Sequence, residues 1–326
     1  MLAFFRNNRF STFFVLALYA GILHLPALLQ WQSVPPDQDM QLGGVLYEKF
    51  IFPYLIIPGL SAGLCLLLVL WQGLRVNQLA DRFRLLHDRT WIPGMAYVLI
   101  ASGLPEFLQL SPALVAVSFV PYTLRRLFST YNVPNATGLV FDAAFWIATG
   151  SLFFPPFLLL LPAAFIGLLI IRSFTAREKV VFVLGALVPL FLAWLGYFWF
   201  NQGMDFVQKQ FIAPFGLFPW RSLSPNWLSL GFLLLLVALA VVNSGSYFYK
   251  KLIQTQKHIT AMYWFLVFGG IAVAFQHSVV PNDFLIVAPA MGIFAAYSFQ
   301  QIRNPLLAEM VHLIWIGLVV IIHLFH

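Results

Sequence analysis

The side chains able to do chemistry in this chain are few, and they fall in small groups. Asp37 and Asp39 lie in Gln32-Ser-Val-Pro-Pro-Asp37-Gln-Asp39-Met40, followed by Glu48 and Lys49. Glu106 follows the Leu104-Pro105 step, and His277 precedes Pro281-Asn282-Asp283. His24 lies within an apolar run, and Arg221 closes the aromatic, proline-containing stretch 211–221. Such carboxylates can take a proton from an attacking hydroxyl, or hold a divalent cation against a phosphate. Each also has an ordinary reading. Asp37 and Asp39 can be solvated residues after a Pro-Pro turn, Asn282-Asp283 a helix cap, and the two imidazoles hydrogen-bonded structural groups. A second group joins Leu124-Arg125-Arg126-Leu-Phe to Phe141-Asp142-Ala-Ala-Phe-Trp146. Its arginines suit a diphosphate or an anionic head group, or else a plain ion pair with Asp142. Glu309 and His312, at i and i+3, share a helix face and can pair with each other. Two groups alone are too few for a metal site.

Helices in a membrane must hold these groups. Hydrophobic residues make up 61% of the 326 and charged ones 9%, too few polar side chains to cover a water-soluble fold of this size. Runs such as 181–200 and 227–249 are long enough to cross a hydrocarbon core roughly 30 Å thick. Apolar runs set against charged and Pro/Gly breaks predict an all-α polytopic integral membrane protein of about eleven transmembrane helices. The predicted spans are 9–31, 51–75, 91–104, 107–124, 138–154, 157–172, 179–200, 226–249, 259–276, 283–300 and 306–325. No repeat, heptad or low-complexity tract divides the chain, so 1–326 reads as a single transmembrane domain. Trp91, Trp199, Trp220, Trp227 and Trp264 sit near predicted interfaces, as an aromatic belt requires.

Charge sets the orientation. With the N-terminus inside, Lys49, Lys209 and Arg221 fall outside and the other fifteen of the 18 Lys and Arg residues fall inside. The net charge of +7 is therefore a statement about topology, and nucleic acid is not an expected partner. The same orientation gathers Asp37, Asp39, Glu48, Glu106, His277 and Asp283 on the outer face as an acidic pocket, and puts Arg125, Arg126 and Asp142 at the inner interface. The charged start is followed by an apolar stretch too long for a cleavable signal peptide and without a small-residue cleavage site. Cys65 is the one cysteine, which excludes an intramolecular disulfide and a multi-cysteine metal site. Nothing resembles a Walker loop, a dinucleotide fingerprint, a zincin helix or a haem-attachment motif. No cofactor is certain, and a divalent cation is the one the carboxylates would suit.

Four spans are short. Residues 91–104, 107–124, 138–154 and 157–172 form two hairpins broken at Leu104-Pro105 and Pro155-Pro156, each arm below the roughly 20 residues of a straight crossing. A single helix over 91–124 would be about 50 Å long, too long for one span. Either the arms dip to different depths and line a polar cavity, or they are ordinary crossings of a thin bilayer.

The segments Leu124-Arg-Arg-Leu-Phe-Ser, Phe141-Asp-Ala-Ala-Phe-Trp-Ile and Gly150-Ser-Leu-Phe-Phe-Pro-Pro resemble an uncharacterised family of polytopic membrane proteins from Bacteroidota, a domain of unknown function. Pro281-Asn-Asp-Phe-Leu-Ile-Val-Ala-Pro is similar to that family's Asn-Glu-Phe pattern, with Asp283 in place of Glu. More distantly, the layout resembles the membrane core of GT-C glycosyltransferases. These have many spans, a first outer loop bearing a catalytic acid, short central helices and a proline-containing late span. They take sugar from a polyprenyl-phosphate donor. The resemblance implies that Asp37 or Asp39 is the first-loop acid. The chain departs from the pattern in its short first loop, in lacking a soluble outer domain, and in showing no paired-acid motif on a helix.

Three readings follow. The first is a GT-C-like transferase at the outer face of the bacterial inner membrane. Asp39 or Asp37 would be its base, Glu106, His277 and Asp283 would shape the pocket, and Arg221 would hold the donor phosphate. The second is a non-catalytic membrane subunit or scaffold of an envelope or secretion assembly, with membrane-protein partners. The third is a lipid or solute transporter, against which the absence of inverted repeats counts.

Overall fold

The computed structural model describes residues 2–6, 11–29, 43–55, 57, 59–216, 227–242, 251–277, 279–302 and 304–325. Sixteen α-helices are described over these residues. They are α1 Leu2–Arg6, α2 Ser11–Leu23, α3 Leu25–Leu29, α4 Val45–Phe50, α5 Leu60–Arg82, α6 Ile92–Ala101, α7 Pro112–Val117 and α8 Val120–Phe128. The chain continues with α9 Thr137–Ser151, α10 Leu160–Ile171, α11 Ala176–Trp199, α12 Gly203–Val207, α13 Trp227–Val242, α14 Ile253–Ala274, α15 Ala288–Gln301 and α16 Pro305–Phe325. Among the described residues, five stretches are long and apolar enough to cross a membrane: Leu60–Arg82, Ala176–Trp199, Ile253–Ala274, Pro281–Gln301 and Pro305–Leu324. The protein is an all-α polytopic membrane protein. Its periphery is apolar in the way only lipid tolerates. Val183, Leu187, Phe191 and Leu195 on α11, and Leu306, Met310, Leu313 and Ile321 on α16, are all exposed.

Helix ends follow local chemistry more than hydropathy. The second span runs over 60–82 instead of 51–75. Phe52–Tyr54 is a 3-10 turn around Pro53, and the helix continues past the apolar run because Val76-Asn-Gln-Leu-Ala-Asp-Arg82 contains no breaker. On α11, Thr175 and Glu178 form a capping box, and Glu178 also meets Arg172 at 2.9 Å. The helix crosses α9 where Gly185 lies against Phe141; a Cβ there would sit 2.5 Å from the Phe141 carbonyl oxygen.

Both proline-broken hairpins are present, with 3-10 turns at Pro105–Leu108 and Pro155–Leu159. Their arms are short because they are enclosed by protein. All ten residues of α6 are buried, between α5 and α15. Backbone groups released at the first turn find partners on neighbouring elements: Cys65 Sγ donates to Phe107 O (3.3 Å), Leu110 N to Ser61 Oγ (2.9 Å) and Tyr47 Oη to Leu110 O (3.0 Å).

A polar knot locks α5 to this hairpin. Gln72, fully buried, donates through Nε2 to Leu114 O (2.7 Å) and Ser118 Oγ (2.7 Å), and its Oε1 accepts from Tyr97. Gln72→Leu leaves the Tyr97 hydroxyl and the Leu114 carbonyl without this partner. It is expected to destabilise the detergent-solubilised protein by about 1–2 kcal/mol, read as a lowered thermal midpoint.

Candidate functional site at the hairpin-tip face

Both hairpin tips lie at one end of the bundle, the end expected outside from the charge bias. Short elements cover this end and bind one another through backbone groups. Gly44 N donates to Phe153 O (2.7 Å) and Leu46 N to Leu152 O (3.0 Å), so the chain returning from the first outer loop is fastened to the second hairpin tip. After α11 the chain forms α12, a π-turn over Gln208–Ile212, and a bridge between Phe215 and Gln276. His277 N donates to Pro214 O at 3.1 Å. Buried Gln210 donates to Ser151 O at 2.8 Å, tying this cover to the same tip. Glu48 pairs with Lys209, and Lys49 stands 5.6 and 5.2 Å from the Tyr197 and Phe200 ring centroids. The hydrogen bond and charge of Glu48 hold the Lys209 ammonium above the usual lysine range.

The candidate residues separate on this scaffold. Glu106 is half-buried on the Pro105–Leu108 turn, which packs against Pro281–Val287. Asp283 is buried, and its Oδ2 accepts from Val280 N at 2.9 Å while its own N donates to Val280 O at 3.0 Å. That carboxylate closes its own turn, so it is better placed to shape the face than to take a substrate proton. Beside it, Asn282 Oδ1 is buried without a hydrogen-bond partner among the described residues. His277 is exposed, next to Gly216. Asp37, Asp39 and Arg221 lie outside the described residues. Among the described residues, no group of three or more His, Cys, Asp or Glu side chains gathers where it could hold a metal ion.

Three histidines among the described residues are held in the core: His24, His258 and His312. His24 Nδ1 lies 3.1 Å from Ala20 O and 3.4 Å from Ser102 Oγ, and its Nε2 is 3.8 Å from Cys65 Sγ. This resembles a Cys-His pair, but the thiol hydrogen points to Phe107 O and both side chains are fully buried. Glu309 and His312 do not hydrogen-bond to each other. Glu309 Oε2 accepts from Leu2 N (2.9 Å), and His312 Nε2 lies 3.2 Å from Tyr19 Oη. The two side chains interact through their charges on one face of α16, where α1 and α2 also bring a backbone donor and a phenol.

At the opposite end, Arg126 Nε lies 3.2 Å from Asp142 Oδ2, both side chains more than a third exposed. A double-mutant cycle with Arg126→Gln and Asp142→Asn is expected to give a coupling of at most about 1 kcal/mol in thermal unfolding, since water screens the pair.

Several contacts here left no trace in local sequence. The Glu48–Lys209 pair joins residues 161 apart, and Gln210–Ser151 residues 59 apart. His258 is fully buried against Phe128 (ring centroids 4.3 Å), Phe83 and Tyr131. The one available signal was an imidazole beside apolar runs at the inner end of α14.

Short helices thus cover one end of a polytopic helical core that has two proline-broken hairpins at its centre. No family model and no curated protein matches the chain. Among solved structures it is similar to ArnT from Cupriavidus metallidurans bound to undecaprenyl phosphate, at 14% identity and a TM-score of 0.54. The likeness covers 90% of this chain and 61% of that one, so the chain spans less than two thirds of ArnT's length. At this identity the likeness establishes the fold alone.

Proposed function

We propose that the protein is a membrane glycosyltransferase using a polyprenyl-phosphate-linked sugar at the outer face of the bacterial inner membrane. The observation that carries this reading is the fold shared with ArnT, which was solved with undecaprenyl phosphate bound. The outer cover adds a reason specific to this chain. Gly44 is bonded to the second hairpin tip, and five peptide units separate it from Asp39, a reach of at most about 18 Å. A base at Asp39 or Asp37 would thus be tethered over the face that also carries Glu106, Asp283 and His277. In this reading the base takes a proton from the acceptor hydroxyl as the sugar leaves the donor phosphate, and Arg221 steadies that phosphate. A divalent cation could share the latter task.

Complementation of a deletion strain with Asp37→Asn, Asp39→Asn, Glu106→Gln and Asp283→Asn tests this. The readouts are surface glycan, lipid-linked intermediates and protein level. One abundant variant with altered glycan or accumulated intermediate supports the transferase and names the base. Four variants indistinguishable from wild type overturn it, and the non-catalytic membrane subunit becomes the better account.

A further inference from the structure

At the arginine-rich end, α5 and α8 enclose a hollow of about 330 Å³ lined by Arg75, Gln78, Arg82, Tyr122 and Arg125. The helical repeat explains the convergence. Trp71, Arg75, Gln78 and Arg82 follow i, i+4, i+7 and i+11 along one face of α5, and Tyr122 and Arg125 are one turn apart on α8. Three guanidiniums meet here, and no carboxylate lines the hollow. Asp142 is engaged by Arg126, and Asp81 faces another hollow, with Arg84 and Arg89. Partial desolvation, followed by the like charges of Arg82, Arg126 and Arg75, pushes the Arg125 guanidinium pKa down. Arg75 is aimed by its neighbours: it lies 5.3 and 5.5 Å from the Trp71 and Tyr122 ring centroids, and Nη1 donates to Gln78 Oε1 at 3.2 Å.

From this hollow a line of half-buried rings leads toward the hairpin-tip face. Trp71 meets Tyr122 (centroids 5.8 Å), Tyr122 meets Trp146 (5.3 Å), Trp146 meets Phe119 (5.8 Å) and Phe119 meets Phe153 (5.8 Å). A cationic hollow continuous with an apolar ring track matches one kind of molecule, a phosphate head carrying a long hydrocarbon chain. We propose that Arg75, Arg82 and Arg125 bind the phosphate of an anionic membrane lipid in the inner leaflet, with its chain laid along Trp71, Tyr122, Trp146 and Phe119. This site is separate from the outer carboxylates and does not depend on the transferase reading.

The test is binding of fluorescent phosphatidic acid by the full-length protein in detergent, with phosphatidylcholine as the neutral-headed comparison. Wild type should prefer phosphatidic acid by at least about tenfold. Arg82→Gln with Arg125→Gln should weaken it about a hundredfold, since each lost charge-assisted contact is worth roughly a factor of ten. Arg177→Gln with Lys179→Gln removes the same charge from exposed positions at the same end and should change binding less than about twofold. If the double variant elutes as aggregate, the single Arg82→Gln, at an exposed position, decides in its place. Tyr122→Leu should weaken the lipid severalfold by interrupting the ring track. Arginine variants that bind like wild type overturn the proposal. So does displacement of the lipid by millimolar inorganic phosphate, which would make the hollow a soluble-anion site.

Discussion

Removing the proposed base from the first outer loop, by Asp39→Asn or Asp37→Asn, is expected to lower the proposed sugar transfer about 100- to 10,000-fold with protein level unchanged. An amide keeps the size and one acceptor oxygen of the carboxylate but cannot take a proton. The loss should therefore appear in turnover and spare donor binding. Asp283→Asn should behave differently. Its Oδ2 serves as acceptor for Val280 N, a task the amide oxygen can continue, so transfer should stay within about tenfold of wild type. Proteoliposomes supplied with a polyprenyl-phosphate sugar separate these cases by initial rate. Equal, large losses at Asp37, Asp39 and Asp283 would point to a collapsed outer cover and not to a missing base.

Gly44→Ala is expected to destabilise the protein by about 1–3 kcal/mol and to depress transfer beyond what reduced abundance explains. The added Cβ would lie 2.3 Å from Leu152 O and 2.6 Å from its carbonyl carbon, both rigid backbone atoms. Gly44 has φ near −65°, so alanine can adopt the local conformation and the penalty comes from the collision alone. Relief requires the segment to lift from the hairpin tip, which breaks the Gly44–Phe153 and Leu46–Leu152 hydrogen bonds. The loop bearing Asp37 and Asp39 loses its anchor at the same time. Gly21→Ala provides the contrast, because nothing lies within 4 Å of a Cβ there and alanine favours the helix. A thermal midpoint lowered at Gly44 and unchanged or raised at Gly21 is the expected pair of results.

Both predictions depend on elements that differ in how far the sequence determined them. The long apolar runs required a membrane, since hydrocarbon admits only backbones whose hydrogen bonds are closed internally, and an i to i−4 ladder closes them locally. Hence the helical class and the places of α11, α14 and α16 could be read from composition and run length. The breaks at Leu104-Pro105 and Pro155-Pro156 were equally legible, because proline removes a donor whatever surrounds it. Termini were less so: α5 runs to Arg82 because polar helix formers prolong a helix that hydropathy alone would end.

Tertiary structure decided what the side chains do. The sequence marked Asp283 as polar beside a helix start, but only the fold shows it buried and bonded to Val280. It marked Glu309 and His312 as neighbours on one helix, yet Leu2 and Tyr19, both about 300 residues away, take their hydrogen bonds. Arg75 and Arg82 looked like ordinary positive-inside arginines until α8 brought Arg125 and Tyr122 against them. Helical periodicity and hydrophobic length act within a single segment and leave a record in it. A partner from a distant segment is chosen by close approach between helices, at positions such as Gly44 and Gly185, and no spacing along the chain encodes that choice.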